Sequence, residues 1–215
     1  MNHESAGATG RRGRRITTWR LPLGRVRDLF ALLASKGHVY AAVRDQGGPR
    51  VRRVVHAMAL SRAALRPFWG PDERVLPPAD ALFGRQKARP TLALGPEGVV
   101  LFGLPPCAVH DLHYVDALLA SGPFRDAAYA RRRRNALVVA MNCTVPGPRA
   151  RCAVCRTGRR VKPGAAADLV LIPAGSAYMV EAHTPAGRSI VARTRLAQVR
   201  GVSGRHQSGQ RGGAE

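Results

Sequence analysis

The chain has 215 residues, of which 35 are Lys or Arg and 13 are Asp or Glu, so its formal net charge is +22. Apolar residues make up 45% of it, which is enough for a globular core and too many for a disordered protein. No apolar run approaches the ~18 residues of a membrane span, and none follows the basic N-terminus as in a secretory signal. These features exclude the membrane-spanning, collagen-like and disulfide-dense secreted classes, and we expect a cytoplasmic protein.

The positive charge by itself suggests nucleic-acid binding, because a strongly basic domain attracts phosphate. However, only Lys36, Lys87 and Lys162 are lysines, and the arginines are dispersed along the whole chain. Abundant Arg, Ala, Gly and Pro with scarce Lys is typical of a GC-rich genome, which explains much of the charge without a function. A basic non-enzymatic protein that binds nucleic acid therefore remains the alternative interpretation.

Composition divides the chain into three parts. Residues 1–18 lack apolar periodicity and are expected to form a disordered basic arm, and residues 201–215 are expected to form a disordered tail. Residues 19–200 are expected to fold as one domain, since their length suffices for a core without disulfides.

The first half of this domain contains a helical stripe followed by alternating apolar residues. Apolar spacing predicts a helix that ends with Gly37 at its C-terminal cap position. A β-hairpin follows, and then a short helix and a proline-rich stretch that we expect to be mostly irregular. The predicted bounds are helix 24–37, strand 38–45, turn 46–49, strand 51–58, helix 61–68 and irregular structure over 70–90.

The second half contains buried strands and a helical crossover. The run GVVLFGL has the continuous apolar pattern of a strand that is buried on both faces. The crossover between the first two strands is long enough for parallel pairing. The predicted bounds are strand 98–104, helix 107–120, helix 124–134, and strands 136–141, 167–173 and 177–183. We therefore predict an α/β (or α+β) fold with a mixed sheet and a parallel strand–helix–strand unit.

All four cysteines fall in this second half, and two of them follow predicted parallel strands. Cys107 comes just after the strand 98–104, and Cys143 just after the strand 136–141. Sheets of this kind assemble their sites at the carboxyl ends of parallel strands. The two thiols are therefore expected at one edge of the sheet, although they are 36 positions apart in the chain.

The remaining cysteines form a C-x-x-C pair, Cys152 and Cys155, in the segment that leaves Cys143. Such a pair can reach one metal centre, and four soft thiolates suit an iron–sulfur cluster or a structural zinc. Arginines between 149 and 160 would offset the negative charge of these thiolates. The alternative is that Cys107 and Cys143 are small buried apolar residues and that the C-x-x-C pair has no function.

Two other groups have more ordinary explanations. His110 and His113 lie three positions apart on the predicted helix after Cys107, where they fit a mixed Cys/His zinc site or, more simply, a half-exposed helix face. The four arginines of 131–134 fit a phosphate patch or, more simply, a solvated helix C-terminus. Nothing in the sequence indicates a hydrolytic triad.

Three segments together resemble a known family. VLFGLPPCAVHDLHYVD (100–116), NALVVAMNCTVPGP (135–148) and the later Cys152 and Cys155 resemble the N-terminal domain of iron–sulfur electron-transfer subunits called 4Fe-4S dicluster proteins. These include the beta subunits of sulfhydrogenase-type nickel–iron hydrogenases and a related component of anaerobic sulfite reductase. The resemblance covers roughly residues 20–190 and extends upstream through VYAAVRDQGG (39–48) and RPFWGPDERVLPPADALFGR (66–85).

The resemblance implies an electron-transfer or accessory subunit that holds a [4Fe-4S] cluster (or, as an alternative, Zn) through Cys107, Cys143, Cys152 and Cys155. It further implies two partners, one a flavin-containing diaphorase-type subunit, the other a catalytic redox subunit, with no catalysis by this chain alone. The sequence departs from the family in three ways. These 215 residues contain no ferredoxin-like cysteine runs, so we expect the family's C-terminal half to be lacking. The last cysteines are spaced C-x-x-C and not C-x-C, and Ala108 stands where the family has an acidic residue.

Overall fold

The strands form a mixed sheet that is covered by helices on both faces. The structure is a computed structural model that describes residues 17–45, 48–56, 84–86, 89–91, 98–121, 123, 125–143, 158, 160–162 and 166–199. Its elements in chain order are β1 Thr18–Pro22, α1 Val26–Ala34, β2 His38–Asp45, β3 Gly48–Arg53, β4 Gly84–Gln86, β5 Arg89–Thr91, β6 Val99–Leu104, α2 Pro106–Val115, α3 Ala127–Asn135, β7 Ala136–Met141, β8 Leu169–Ala174, β9 Ala177–Ala182, α4 Pro185–Thr194 and β10 Ala197–Val199. A 3₁₀ turn, Leu23–Arg25, precedes α1, and a π turn, Asp116–Ala120, extends α2.

Within the described residues, eight strands form one sheet in the order β10-β1-β9-β8-β7-β6-β2-β3. The four strands β8, β7, β6 and β2 run parallel to one another, and the outer strands pair antiparallel. The predicted mixed sheet is therefore confirmed, and so is the parallel pairing of the strands on either side of the helical crossover. β4 and β5 pair separately as a two-stranded ribbon.

Two apolar cores lie on opposite faces of the sheet, because successive strand residues alternate between the faces. On one face α1 and α4 pack against the sheet through Leu29, Phe30, Leu33, Ile190 and Val191. On the other face α2 and α3 pack through Ala108, Val109, Leu112 and Tyr129. Since both faces are covered, the central strands have the continuous apolar sequence that predicted their burial.

Two helices begin at side chains that cap them. The Asp126 carboxylate accepts a hydrogen bond from the Tyr129 N–H (2.9 Å) at the start of α3. The Thr184 hydroxyl accepts one from the Gly187 N–H (3.1 Å) at the start of α4, where Pro185 occupies the first helical position. These are the residue types that satisfy the N–H groups a helix leaves unpaired at its start.

A glycine in β6 changes which face the end of that strand presents. Gly103 has φ +81°, and the register with β7 shifts between Phe102 and Leu104. The extra residue forms a β-bulge, and its positive φ would be strained for a residue with a Cβ. As a result Phe102 packs on the α1–α4 face, whereas Leu104 packs on the α2–α3 face and leads the chain into α2.

Gly37 has a different role from the predicted helix cap. α1 ends at Ala34 with Ser35 as its cap residue, and Gly37 is not among the described residues with positive φ. Instead the chain at Gly37 passes directly against Gly98, so that a Cβ at Gly37 would overlap the Gly98 carbonyl. Glycine is required here by close contact between two backbones, which a cap pattern in the sequence does not distinguish.

Several other predicted elements differ from the structure. β3 begins at Gly48, inside the predicted turn, and the ribbon β4–β5 lies in the stretch expected to be irregular. Thr18, assigned to the basic arm, is buried in β1. β1, α4 and β10 were not predicted as elements because they are short or rich in Arg and Gly.

The predicted helix 61–68 lies outside the described residues. None of the described helices is both long and apolar enough to cross a membrane.

Replacing Gly37 by Ala is expected to lower the free energy of unfolding by about 3 kcal/mol, because two backbones must separate to admit the methyl group. Urea-induced unfolding followed by circular dichroism measures the loss. The matched control is Gly24→Ala, since nothing lies within 4 Å of a Cβ at Gly24. Equal stabilities of the two variants would contradict the close-contact role.

Candidate metal centre

Cys107 and Cys143 lie at the same edge of the sheet. β6 and β7 pair in parallel from Val99↔Ala136 to Leu104↔Ala140, so their carboxyl ends are adjacent. Cys107 follows β6 by three residues and Cys143 follows β7 by two. The topology therefore places two cysteines that are distant in sequence at the same edge of the sheet, as the sequence predicted. Their role as ligands stays a prediction.

Cys107 lies in the first turn of α2. Pro105 occupies the N-cap position, where it offers no side-chain cap, and Pro106 is the first helical residue. The two prolines end β6 and set the start of the helix at this edge. The N-terminal end of a helix carries a partial positive charge, so Cys107 lies next to the positive end of the α2 dipole. Both Cys107 and Cys143 are half-buried thiols that form no disulfide.

The chain that leaves the edge at Cys143 returns to it at Val161. The Asn142 side-chain oxygen accepts a hydrogen bond from the Val161 N–H (3.0 Å), and the Asn142 N–H donates to the Leu171 carbonyl (2.9 Å). Val161 is only 6% exposed and packs in the core between α2, α3 and the sheet. Asn142 thus fixes both ends of the intervening segment beside Cys143.

The other two predicted ligands, Cys152 and Cys155, lie outside the described residues. In the ranges that the structure does describe, no three His, Cys, Asp or Glu side chains are grouped so as to hold a metal ion. His110 and His113, the candidates for a mixed site, are both exposed on α2. The described part of the candidate centre consequently consists of Cys107 and Cys143.

A network of polar side chains fixes α2 to α3 on the face that these helices cover. The Asp116 carboxylate, just after α2, accepts hydrogen bonds from the Tyr129 hydroxyl (2.7 Å) and from the Arg133 Nε (3.0 Å to each oxygen). Arg133 also donates to the Ala166 carbonyl (3.2 Å). Burial and the Asp116 carboxylate raise the pKa of Tyr129 above its ordinary value of 10.0. Of the four arginines in 131–134, Arg133 therefore has a structural role.

A second buried polar pair, for which the sequence holds no signal, lies at the end of β9. The ring of His183 is buried beyond the end of β9, with its Nε2 3.2 Å from a Glu181 carboxylate oxygen. Among the described residues its Nδ1 atom has no hydrogen-bond partner. The other Glu181 oxygen lies 4.0 Å from the Arg160 guanidinium. Arg160 directly precedes Val161, so this pair is connected to the segment that Asn142 binds beside Cys143.

Comparison with known proteins gives one partial similarity. No protein-family model matches the chain. Sulfhydrogenase 2 subunit beta from Pyrococcus furiosus is 34% identical to it over 116 residues, which cover 54% of the chain and 34% of that protein. The aligned part thus spans about a third of the length of this relative. The similarity agrees in part with the resemblance that the sequence motifs showed.

Replacing Tyr129 by Phe is expected to lower the free energy of unfolding by about 1 kcal/mol near neutral pH, because the hydrogen bond to Asp116 is lost. The raised pKa of Tyr129 means that its contribution is complete below pH 10.0 and is lost as the pH rises further. Above pH 10.0, the difference in free energy of unfolding between the wild type and the Phe variant should then decrease by up to about 1.4 kcal/mol per pH unit.

Urea unfolding of both proteins at about pH 8, 10 and 11 measures this difference, and the Phe variant is itself the control because it lacks the ionisable hydroxyl. A difference that stays constant over this range would contradict the buried, carboxylate-bound state of Tyr129.

Proposed function

We propose that the chain is an iron–sulfur electron-transfer or accessory subunit of an anaerobic redox complex, of the hydrogenase or sulfur or sulfite reductase type. In this proposal Cys107, Cys143, Cys152 and Cys155 hold one [4Fe-4S] cluster at the carboxyl edge of the sheet. The observation that supports it most directly is the position of Cys107 and Cys143 after adjacent parallel strands.

The donor set fits such a cluster as far as the described residues go. Cluster irons are held by thiolates, and Cys107 and Cys143 offer two of them from neighbouring strand ends. The start of α2 contributes a positive dipole end next to Cys107, which offsets thiolate charge. When bound, the cluster would supply one-electron transfer, and the protein's part is to hold it and to limit its access to water.

Chain length keeps the other two cysteines within reach of this edge. Cys152 is nine residues after Cys143, and Cys155 is six residues before Val161. A chain extends by at most about 3.6 Å per residue, so Cys155 stays within roughly 22 Å of Val161. Since Asn142 fixes Val161 beside Cys143, both ends of the segment start from the proposed centre.

Electron transfer requires a donor and an acceptor, which defines the proposed partners. We assign one role to a flavin-containing diaphorase-type subunit, the other to a catalytic redox subunit, in line with the partial similarity to a sulfhydrogenase component. The chain itself is not proposed to be catalytic. A structural zinc is the competing occupant of the same four thiolates, because zinc also favours Cys₄ sites.

Anaerobic purification, followed by analysis of iron, acid-labile sulfide and zinc and by EPR after reduction, tests this proposal. A bound cluster gives about four irons and four sulfides per chain. One zinc per chain without acid-labile sulfide would show that the site is a structural zinc site and not a cluster site. A folded chain that contains neither iron nor zinc after anaerobic reconstitution would refute both.

Replacing Cys143 by Ser is expected to remove most of the bound iron and the EPR signal, because a hydroxyl is a poor ligand for iron in a cluster. His110→Ala is the control near the same edge, since His110 is exposed on α2, the helix that begins at Cys107. The control should keep the iron content of the wild type. Equal iron contents in both variants would exclude Cys143 as a ligand.

A further inference from the structure

Four arginines lie at the same edge of the sheet as Cys107 and Cys143. β1 is antiparallel to β9, which is antiparallel to β8, so β1 ends at the edge where β6 and β7 end. The chain then enters α1 through Arg25, while α4 runs towards this edge and ends there. The Arg25 guanidinium donates to the Thr194 carbonyl (2.7 Å) and to the Arg195 carbonyl (3.4 Å), which joins the two helix ends.

These side chains form an exposed positive surface, which we call the basic edge and define as Arg25, Arg27, Arg193 and Arg195. The Arg27 side chain is 83% exposed and that of Arg25 is 41% exposed, and Arg193 and Arg195 are exposed as well. Asp28 is the one acidic residue in the described helices α1 and α4, and it lies 3.0 Å from Arg25 and 3.7 Å from Arg27. The surface therefore keeps a net positive charge.

The basic edge, at the ends of α1 and α4, and Cys107, at the start of α2, lie on different faces of the sheet but at the same end of its parallel strands. β1 is three strands away from β7 in the sheet, which corresponds to about 14 Å at the usual strand spacing. The exposed Lys162 adjoins Val161, which is bound to Asn142 beside Cys143. A further exposed cation therefore lies beside Cys143, in addition to those of the basic edge.

We propose that the basic edge is the docking surface for an acidic patch on the redox partner, an inference that rests on the proposed function. Guanidinium groups pair with carboxylates through two parallel hydrogen bonds and are enriched at protein interfaces. Opposite charge also speeds the encounter of two proteins and orients them before contact. A partner held here would face the same edge of the sheet as Cys107 and Cys143.

Nucleic acid is the other polyanion that such a surface would attract. The position of the basic edge favours an acidic protein, because a partner that exchanges electrons must approach the cysteine edge and a duplex has no such requirement. The compact group of four arginines at two helix ends also differs from an extended track along a phosphate backbone.

Binding of a fluorescent twelve-residue polyglutamate peptide to the full chain, measured by anisotropy at low salt with EDTA present, tests the proposal. The informative variant is R27E/R193E, which reverses two exposed charges on the basic edge. The matched control is K36E/R134E, which reverses two exposed charges at the opposite edge, after α1 and in the last turn of α3. The two variants have the same net charge.

We expect R27E/R193E to bind the peptide about tenfold more weakly than K36E/R134E. Equal weakening by both variants would overturn the proposal, because binding would then follow net charge alone. A twelve-base-pair DNA duplex is measured in the same way. If the duplex binds the wild type more tightly than the peptide does, and loses more affinity than the peptide does in R27E/R193E, the surface is assigned to nucleic acid and the proposal is overturned. A thermal unfolding temperature equal to that of the wild type confirms that each variant is folded. If R27E/R193E does not fold, the single variant R27E, at the most exposed of these positions, is measured in its place.

This measurement does not require a bound cluster, because the substituted arginines lie on α1 and α4 and not at the cysteines, and EDTA only prevents free metal ions from bridging the peptide and the chain. If R27E/R193E and K36E/R134E bind the peptide equally but the purified chain contains the cluster, the docking proposal is refuted and the proposed function stands. If the peptide binds through the basic edge but the chain binds no iron, the proposed function is refuted and the positive surface stands.

Discussion

The parallel pairing of β6 with β7 is the constraint on which the candidate centre depends. It places the ends of two strands side by side, and each strand is followed within three residues by a cysteine. Parallel pairing requires a crossover, which α2 and α3 supply while they cover one face of the sheet. The bulge at Gly103 turns Leu104 towards that same face, so the chain enters α2 directly above the edge. The crossover between β6 and β7 therefore determines both the packing of this face and the positions of the two cysteines.

At the other end of the parallel strands, a single carboxylate connects three elements. Asp168 accepts hydrogen bonds from the Val138 N–H in β7 (2.8 Å) and from the Thr184 hydroxyl (2.6 Å), which in turn caps α4. The Asp168 carbonyl meets Gly187 so closely that a Cβ there would overlap it. The register of β7 with β8 and the position of α4 are thus fixed together. Since α4 ends beside Arg25, this contact also determines where the basic edge lies.

The sequence predicts the central strands well and the outer elements poorly. Strands such as Ala136–Met141 are recognisable because burial on both faces makes them continuously apolar. β1 and α4 are half-exposed and rich in Arg, so their sequences lack that signal, and their structure depends on contacts such as Arg25 with Thr194. For the candidate centre, the shared edge of Cys107 and Cys143 follows from strand order alone. The tie between Asn142 and Val161 joins residues 19 positions apart through a side chain, which no local pattern encodes.

That tie has a consequence for how the chain can diverge. With its two ends joined at Asn142 and Val161, the intervening segment is a closed loop whose length hardly affects the rest of the fold. Each doubling of loop length costs only about 0.6 kcal/mol of closure entropy. Insertions, deletions and changes of cysteine spacing can therefore accumulate inside the loop while β7, β8 and α2 stay in place. The C-x-x-C spacing, which differs from the C-x-C of the family that the sequence resembles, is a difference of this kind, because both cysteines lie between Asn142 and Val161 in the chain.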